Sequence, residues 1–406
     1  MGEGDKVLDR WPEFDSGYGW TTAVRVAFGV RSLDDRRAAE GQGWAVPRSV
    51  SPGSWWARLD AATLSSTHFL QRTCLHPDRF TTFLNRTLSV NHEVIMAAVV
   101  IPYYQGAMFI ERCVESIRNG SPNWEIFIVD NSPEDQRLAS STALALGARL
   151  VEARPTIGFG RACNVGALAA MDAGHRELVF LNQDTVVVNN AMDQLRDALL
   201  GSNYAMVGPL ECELDDNGRC GQVGAFVRQN FLSQNSILSN EYEAAAPGAL
   251  YEVSMLSGAC FCTSSDTIRL LGLFDPLFFM YGEDNDLALR LQAADKRVAM
   301  LPGARVAHRH SNATATNTIG RWQLESGTVR ILKDRRRSLL GAVGYDVTRK
   351  IPRVAKGVWR RDADSVRHLA SATVRVYRQL QTIRQARKEQ SLWPRMVAAA
   401  MIDRCR

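Results

Sequence analysis

The chain of 406 residues is long enough for two or three domains, and 46% hydrophobic with 22% charged residues is typical of a globular protein. It contains no run of about 18 apolar residues that could span a bilayer, and no apolar core of a secretory signal follows its first residues. The eight cysteines are irregularly spaced, which argues against a zinc site or a disulfide framework and predicts thiols in a reducing cytoplasm.

Charge is divided unevenly along the chain. Residues 331–406 contain 19 Lys and Arg against 6 Asp and Glu, a net charge of +13, whereas the preceding residues carry −8. A basic tail and an acidic body are expected to have different partners.

The segment 1–95 shows no sustained periodicity, although it contains five of the nine tryptophans. The pattern changes at Ala97, directly after Met96. We therefore expect 1–95 to be an N-terminal extension that is dispensable for chemistry. Translation starting at Met96 is one explanation, and an extension that packs on the protein or binds a partner is the other.

Four apolar runs follow, and segments with helical spacing separate them. Strands alternating with helices of about 10–15 residues predict βαβ units and a parallel sheet. The predicted strands are 97–102, 124–129, 148–151 and 177–181.

Polar or backbone-exposing residues follow each of these strands. In open α/β sheets, ligands bind outside the carboxyl ends of the strands, so four such ends in succession predict a binding site. The four ends are Pro102-Tyr103, Asp130-Asn131, the glycine-containing loop 154–160 and Asn182-Gln183-Asp184.

Each of these ends has a local alternative. Asp130 either accepts hydrogen bonds from a base or ribose or forms a turn. Gly158 and its neighbours either let amides approach a phosphate at the start of a predicted helix, 162–171, or form an ordinary loop, and the Gly-Lys-Ser/Thr of a P-loop is missing. Asp184 either ligates Mg²⁺ or Mn²⁺ or caps the following turn.

A cluster of carboxylates follows an aromatic run at 278–281. Glu283, Asp284 and Asp286 lie within four residues, and mutual repulsion beside apolar side chains should raise the pKa of one of them, as a general base requires. The alternative is that Asp284 is a helix N-cap and Asp286 complements the helix dipole.

Two histidines follow a strand-like run at 304–307. Neutral imidazole binds Mn²⁺ well, and His308 and His310 alternate toward one face of a strand. A structural role for either histidine is the alternative.

Taken in order, these segments resemble the family 2 glycosyltransferases of GT-A fold, over about residues 97–311. Among these the chain is most similar to the rhamnosyltransferase-like branch that builds bacterial surface polysaccharides. The segments that carry the resemblance are Ile-Pro-Tyr-Tyr, Val-Asp-Asn-Ser, Ile-Gly-Phe-Gly-Arg-Ala-Cys-Asn-Val-Gly, Leu-Asn-Gln-Asp-Thr, Leu-Ser-Gly-Ala-Cys and Phe-Asp-Pro-Leu-Phe-Phe-Met-Tyr-Gly-Glu-Asp-Asn-Asp-Leu, followed by His308.

The resemblance implies an α/β fold of GT-A type at 96–315, a mixed sheet flanked by helices that binds a nucleotide-diphosphate sugar. A basic helical region, 316–406, follows it. The residues implied to contact the nucleotide sugar are Pro102, Tyr103, Asp130, Asn131, Gly158, Asn164, Asn182 and Asp184. Arg161 stands where the family often has a small residue.

The resemblance also implies the chemistry. Asp184 is the carboxylate of an Asp-x-Asp-type motif for Mg²⁺ or Mn²⁺, with Asn182 in place of the first acid, and His308 is the second metal ligand. Asp284 is the general base, and Glu283 supports it. Single displacement by a hydroxyl of a glycan or lipid-linked acceptor then inverts the anomeric centre.

Two other activities remain open, a nucleotidyltransferase and a non-catalytic nucleotide-sugar binder. We predict no nucleic-acid binding, because the basic tail has few aromatic residues and no recognisable motif. Helices of the tail are instead expected on anionic lipid at the cytoplasmic face of the membrane, with Leu369, Val374 and Val376 between arginines. The alternative is a helical extension that packs on the body or on a second subunit.

Overall fold

A computed structural model describes residues 97–215, 219–221, 223, 248–309, 316–389 and 391–404. The predictions for 1–95 and for His310 lie outside the described residues. Within these ranges, no helix is both long and apolar enough to cross a membrane.

The first part of the chain consists of βαβ units, and its four strands run parallel in the order β3-β2-β1-β4. Each predicted strand agrees with the observed one to within one residue at either end. The elements are β1 (Ala97–Tyr103), α1 (Ala107–Gly120), β2 (Glu125–Asp130), α2 (Ser140–Ala145), β3 (Arg149–Glu152), α3 (Phe159–Asp172) and β4 (Glu177–Leu181).

The second part extends the sheet with strands of both directions. β8 pairs antiparallel with β4, and the full order is β3-β2-β1-β4-β8-β6-β9-β5, with β7 on β9. The mixed sheet flanked by helices that the resemblance implied is thereby confirmed. The elements are β5 (Thr185–Val188), α4 (Ala191–Leu200), β6 (Met206–Glu213), β7 (Tyr251–Val253), β8 (Cys260–Ser264), α5 (Ser265–Leu271), α6 (Glu283–Ala293) and β9 (Val298–His308).

The long strand β9 changes its pairing partway along. Its first residues pair with β6 up to Leu301, the register then shifts, and pairing resumes at Arg305. The far end of β9 pairs antiparallel with β5, which places His308 opposite Thr185. The end of β9 therefore lies beside the residue that follows Asp184.

Both faces of β1, β2 and β4 are buried, which explains why these three strands are continuous apolar runs, whereas the edge strand β3 is partly exposed. Val100 and Phe127 face one hydrophobic core together with α3, whereas Val99 and Ile126 face a second core with α1 and α4. The ligand-binding end of the sheet is thus held from two sides.

In the described part of the chain, five helices follow the sheet, which confirms the prediction of a helical region there. The last of them packs on α3, and Met396 belongs to the same core as Phe127 and Val100. These helices are α7 (Thr316–Lys333), α8 (Leu339–Trp359), α9 (Ala363–Tyr377), α10 (Leu380–Ala386) and α11 (Trp393–Arg404).

Buried ion pairs connect these helices to the sheet domain. Arg161, at the start of α3, makes a two-pronged contact with Asp403 of α11, with distances of 2.9 and 2.5 Å. Asp275 accepts from Nη1 and Nη2 of Arg395 and from Nζ of Lys333. Side chains on both sides of the predicted domain boundary at residue 315 therefore belong to one network of ion pairs.

The apolar residues predicted to face lipid lie elsewhere than expected. Leu369 and Val376 are buried between the C-terminal helices, and of the three only Val374 is exposed. Apolar spacing showed that α9 has an apolar face, but the helical neighbours cover that face.

Candidate active site

Asp184 and His308 meet at the carboxyl end of the sheet. The pairing of β5 with β9 brings them together, and Nε2 of His308 lies 3.1 Å from Oδ1 of Asp184. Asn182 also reaches this point, with its Nδ2 3.4 Å from the same imidazole nitrogen. Both members of the predicted metal pair therefore face each other, 124 residues apart in sequence.

Glu211 of β6 supports the imidazole from its other side. Its Oε1 lies 2.7 Å from Nδ1 of His308. Burial disfavours the imidazolium, but hydrogen bonds and charges from Asp184 and Glu211 outweigh that effect and raise the pKa of His308 to about 10. The carboxylate of Glu211 thus fixes how the ring is oriented.

The donor set suits a divalent cation that also binds phosphate oxygens. Imidazole nitrogen with carboxylate oxygen is a usual combination for Mn²⁺, which would bind at Nε2 in place of the proton that the raised pKa keeps on the ring. A separation of about 3 Å is that of neighbouring ligands around an octahedral ion. Among the described residues, no group of three or more His, Cys, Asp or Glu side chains is arranged to hold a metal. The remaining positions would go to diphosphate and water.

The glycine loop packs directly against the segment before the acid cluster. Gly158 has φ of 89°, and a Cβ there would lie 2.2 Å from the carbonyl oxygen of Phe279. Gly158 is also the N-cap of α3 and makes no side-chain cap, so the first amides of a 14-residue helix remain for an anion.

The ends of β1 and β2 are held together by their polar residues. Asn131 donates from its backbone N and its Nδ2 to the carbonyl of Tyr103, at 3.1 and 2.8 Å. Asp130 accepts from the amides of Ser132 and Leu138. These bonds shape the loop, and because each carboxylate oxygen has a second lone pair, ribose binding by Asp130 stays a prediction. Pro102 pairs with Val129 in the same register.

Asn164 requires a correction. Its Nδ2 donates to the carbonyl of Phe274 at 2.8 Å, and its Oδ1 accepts from the amide of Phe274 at 3.0 Å. The side chain is buried within α3. The amide therefore holds the segment before the acid cluster in place, and a structural role replaces the expected nucleotide contact.

Glu283 and Asp284 form the first turn of α6. Gly282, in a left-handed conformation, is the N-cap, so the interpretation of Asp284 as the N-cap is wrong. Oδ1 of Asp284 instead accepts from the amide of Asn285 at 2.7 Å. Glu283 is buried, and no Lys, Arg or His of the described residues pairs with either carboxylate.

Burial sets the protonation of this acid pair. Burial, followed by repulsion from Asp284 and then Asp286, raises the pKa of Glu283 to about 8. Burial also raises the pKa of Asp284, which borders Leu256, Phe274 and Leu287. At neutral pH the pair therefore holds one proton more readily than two separate carboxylates would.

One loop connects the acid pair with the predicted metal pair. The amide of Asn182 donates to the carbonyl of Ala259 at 2.8 Å. The adjacent Gly258 lies close to Asp284, since a Cβ added at Gly258 would lie 3.9 Å from the Cβ of Asp284. The strand end that holds Asp184 and the helix start that holds Asp284 thus converge on residues 258–259.

Two residues at this site were not identified from the sequence. Glu211 was missed, although a carboxylate inside the apolar run of β6 was a readable signal. Gln183 was not assigned a role, yet it exchanges two 2.9 Å hydrogen bonds with the backbone of Tyr104 and fastens the end of β1 to the end of β4.

Comparison with known proteins identifies the family. The profile of the family described as "Glycosyltransferase like family 2" matches residues 96–324, more than half of the chain. The search of curated proteins found no match. A crystal structure of GalNAc-T7 with UDP, GalNAc and Mn²⁺ is similar at 15% identity with a TM-score of 0.43, covering 59% of this chain and 51% of that one. The chain belongs to the glycosyltransferase-like family 2.

Proposed function

We propose that the protein is an inverting, divalent-metal-dependent glycosyltransferase. It moves a sugar from a nucleotide-diphosphate donor to a hydroxyl of a glycan or lipid-linked acceptor. The observation that carries this proposal is the buried, unneutralised pair of Glu283 and Asp284, joined through residues 258–259 to the facing pair of Asp184 and His308.

Charge determines the role of each residue. Asp184 and His308 would hold Mg²⁺ or Mn²⁺, which would supply positive charge for the departing diphosphate. The amides at the start of α3 add positive potential for the same group. Glu283, with its pKa raised to about 8, retains its proton near neutral pH, which removes its charge from beside Asp284, the proposed base. Asp284 takes the proton of the acceptor hydroxyl as the oxygen attacks the anomeric carbon.

The finer identity rests on the sequence resemblance alone. The rhamnosyltransferase-like segments suggest rhamnose as the donor sugar and surface polysaccharide of bacteria as the product. Pro102, Tyr103, Asp130 and Asn131 are proposed for the nucleoside, and Gly158 with Asn182 for the diphosphate.

A panel of nucleotide-diphosphate sugars with Mn²⁺ tests the proposal. One donor should stabilise the purified protein against heat and be turned over slowly, and Asp184→Ala should abolish both effects. Asp197→Ala, on the exposed face of α4, is the matched control. Stabilisation without turnover of any donor would favour a non-catalytic binder, and release of pyrophosphate from a nucleoside triphosphate and a sugar phosphate would favour a nucleotidyltransferase.

The second part of the proposal is peripheral binding of anionic membrane from the cytoplasmic side. Helix α8 exposes an apolar stripe at spacings of four and three residues, with basic residues beside it. The stripe consists of Val347, Ile351, Val354 and Val358, with Leu340 one heptad earlier and Trp359 at the helix end.

Flotation with anionic vesicles at low salt tests this part. The wild-type protein should float, and Ile351→Asp combined with Val358→Asp should prevent flotation. Val374→Asp, at an exposed apolar position of α9, is the control and should leave flotation unchanged. Absence of wild-type flotation at low salt would refute membrane binding.

A further inference from the structure

Helices α7, α8 and α9 enclose a cavity of about 620 Å³ apart from the candidate active site. This volume lies within the usual range for small-molecule sites, which is about 300–1,000 Å³. Cationic side chains dominate its lining. They include Arg330, Arg349, Lys350, Arg353, Lys356 and Arg360.

The two carboxylates of the lining form an ion pair with only one of these six cations, Lys350. Asp346 is bound by Lys350 at 2.6 Å and by the hydroxyl of Tyr377 at 3.2 Å. Asp362 is the N-cap of α9, where it accepts from the amide and hydroxyl of Ser365. Among the described residues, no carboxylate pairs with the other five cations. The cavity therefore carries excess positive charge.

Lys350 forms a buried part of the wall. It donates to Thr328 at 2.8 Å as well as to Asp346. Burial lowers the pKa of Lys350, Asp346 opposes that shift, and the neighbouring Arg349 and Arg353 lower the pKa further. The lysine thus responds to a positive potential that an anion in the cavity would relieve.

The wall formed by α7 is open. A Cβ added at Gly320 or Gly327 meets nothing within 4 Å, so ligand atoms can approach the helix there. The same helix contacts the aromatic run before the acid pair, since Ser326 donates to the carbonyl of Met280 at 2.8 Å. One helix therefore separates the cavity from the segment that leads to Glu283.

We propose that this cavity binds a phosphate or diphosphate ester. Several arginines around one concave space suit the tetrahedral, multiply charged phosphate group, which accepts charge-assisted hydrogen bonds from several donors at once. A free phosphate compound and the headgroup of a diphosphate-linked lipid both present this group. Binding here does not depend on sugar transfer.

The direct test is calorimetric titration of the full chain with inorganic pyrophosphate. The titration is done in EDTA, so that no divalent metal recruits the probe to Asp184 and His308. Replacing Arg353, Lys356 and Arg360 by Gln should weaken binding by roughly 30-fold or more. Replacing Arg378, Arg384 and Lys388 by Gln removes the same charge outside the cavity and should change affinity less than threefold or so.

A second variant guards against misfolding of the triple mutant. Gly327→Glu places a carboxylate in the open part of the cavity, in a helix that tolerates a side chain there, and should abolish binding while leaving the melting temperature unchanged. An equal loss of pyrophosphate affinity in the triple variant of Arg353, Lys356 and Arg360 and in its charge-matched control would overturn the proposal. Failure of the wild-type chain to bind pyrophosphate would overturn it as well.

One further probe, farnesyl diphosphate, distinguishes the two sources of the phosphate group. Farnesyl diphosphate that binds at least tenfold more tightly than pyrophosphate would assign the cavity to a lipid-linked diphosphate, whereas equal affinity would assign it to a free phosphate compound. Either assignment requires that the triple variant of Arg353, Lys356 and Arg360 lose affinity for the probe. All measurements are of binding, so inactivity toward every nucleotide sugar would leave this result unaffected.

Discussion

Two pairs of carboxylates in the segment 275–286 have opposite surroundings. Asp275 and Asp286 share Lys333, and Arg395 and Arg290 complete their pairing. Burial alone would raise the pKa of Asp275, but the charges of Lys333 and Arg395 hold it well below its ordinary value. Glu283 and Asp284, between them in sequence, receive no such cation from the part of the chain that the structure describes.

This contrast shows what the C-terminal helices do for the site. Lys333 comes from α7 and Arg395 from α11, so cations from the region after residue 315 neutralise one pair and leave the other. The first pair is therefore expected to govern stability, and the second pair catalysis. The basic charge of the tail, predicted to serve an external partner, is in part used internally.

Removing the charge of Asp275 should cause the largest loss of stability. Asp275→Asn leaves Lys333 and Arg395 buried without their common partner, which typically costs about 3–5 kcal/mol. Urea unfolding would measure this loss. Asp364→Asn removes an exposed pair with Arg367 and should cost less than about 1 kcal/mol. Similar unfolding midpoints for the two variants would contradict a structural role of the first pair.

A smaller effect is expected when the imidazole loses its support. Glu211→Gln should weaken Mn²⁺ binding by roughly 10–100-fold, because the ring of His308 is no longer held by a charged acceptor. Titration of Mn²⁺, followed by its paramagnetic resonance signal, measures this effect without turnover. Glu213→Gln, two residues further on the same strand and exposed, serves as the control. Unchanged affinity in Glu211→Gln would remove Glu211 from the metal site.

The last of these effects depends on pH and concerns the stability of the folded chain. The pKa of Glu283 is about 8 in the folded chain and about 4.5 when unfolded, so the folded state holds this proton more tightly. Its stabilising contribution is present at acidic pH and is lost as the pH rises from about 4.5 through about 8, by roughly 1.4 kcal/mol per unit. Melting of Glu283→Gln across this range should show a flatter profile than wild type, and Glu134→Gln should not. Parallel profiles for wild type and Glu283→Gln would mean that Glu283 is not protonated.

The parallel strands were predictable because burial on both faces leaves a direct mark on the sequence. That Asp184 and His308 face each other was predictable only from the family resemblance, which rests on the order of the segments. The pairing of Arg161 with Asp403 was not predictable, since 242 residues separate them and no pattern in the sequence links the glycine loop to the end of the chain. Periodicity in α9 likewise indicated an apolar face without indicating what covers it.

The most direct test compares turnover, per folded molecule, of Asp284→Asn and Asp286→Asn. The two side chains are two residues apart in the first turn of α6, and the substitution is the same. Asp284→Asn should bind the donor yet lose roughly 10²–10⁴ in turnover, as expected for a general base. Asp286→Asn should melt at a lower temperature but retain turnover within about tenfold. Near-wild-type turnover in Asp284→Asn, or an equal loss in both variants, would contradict the division between the two pairs.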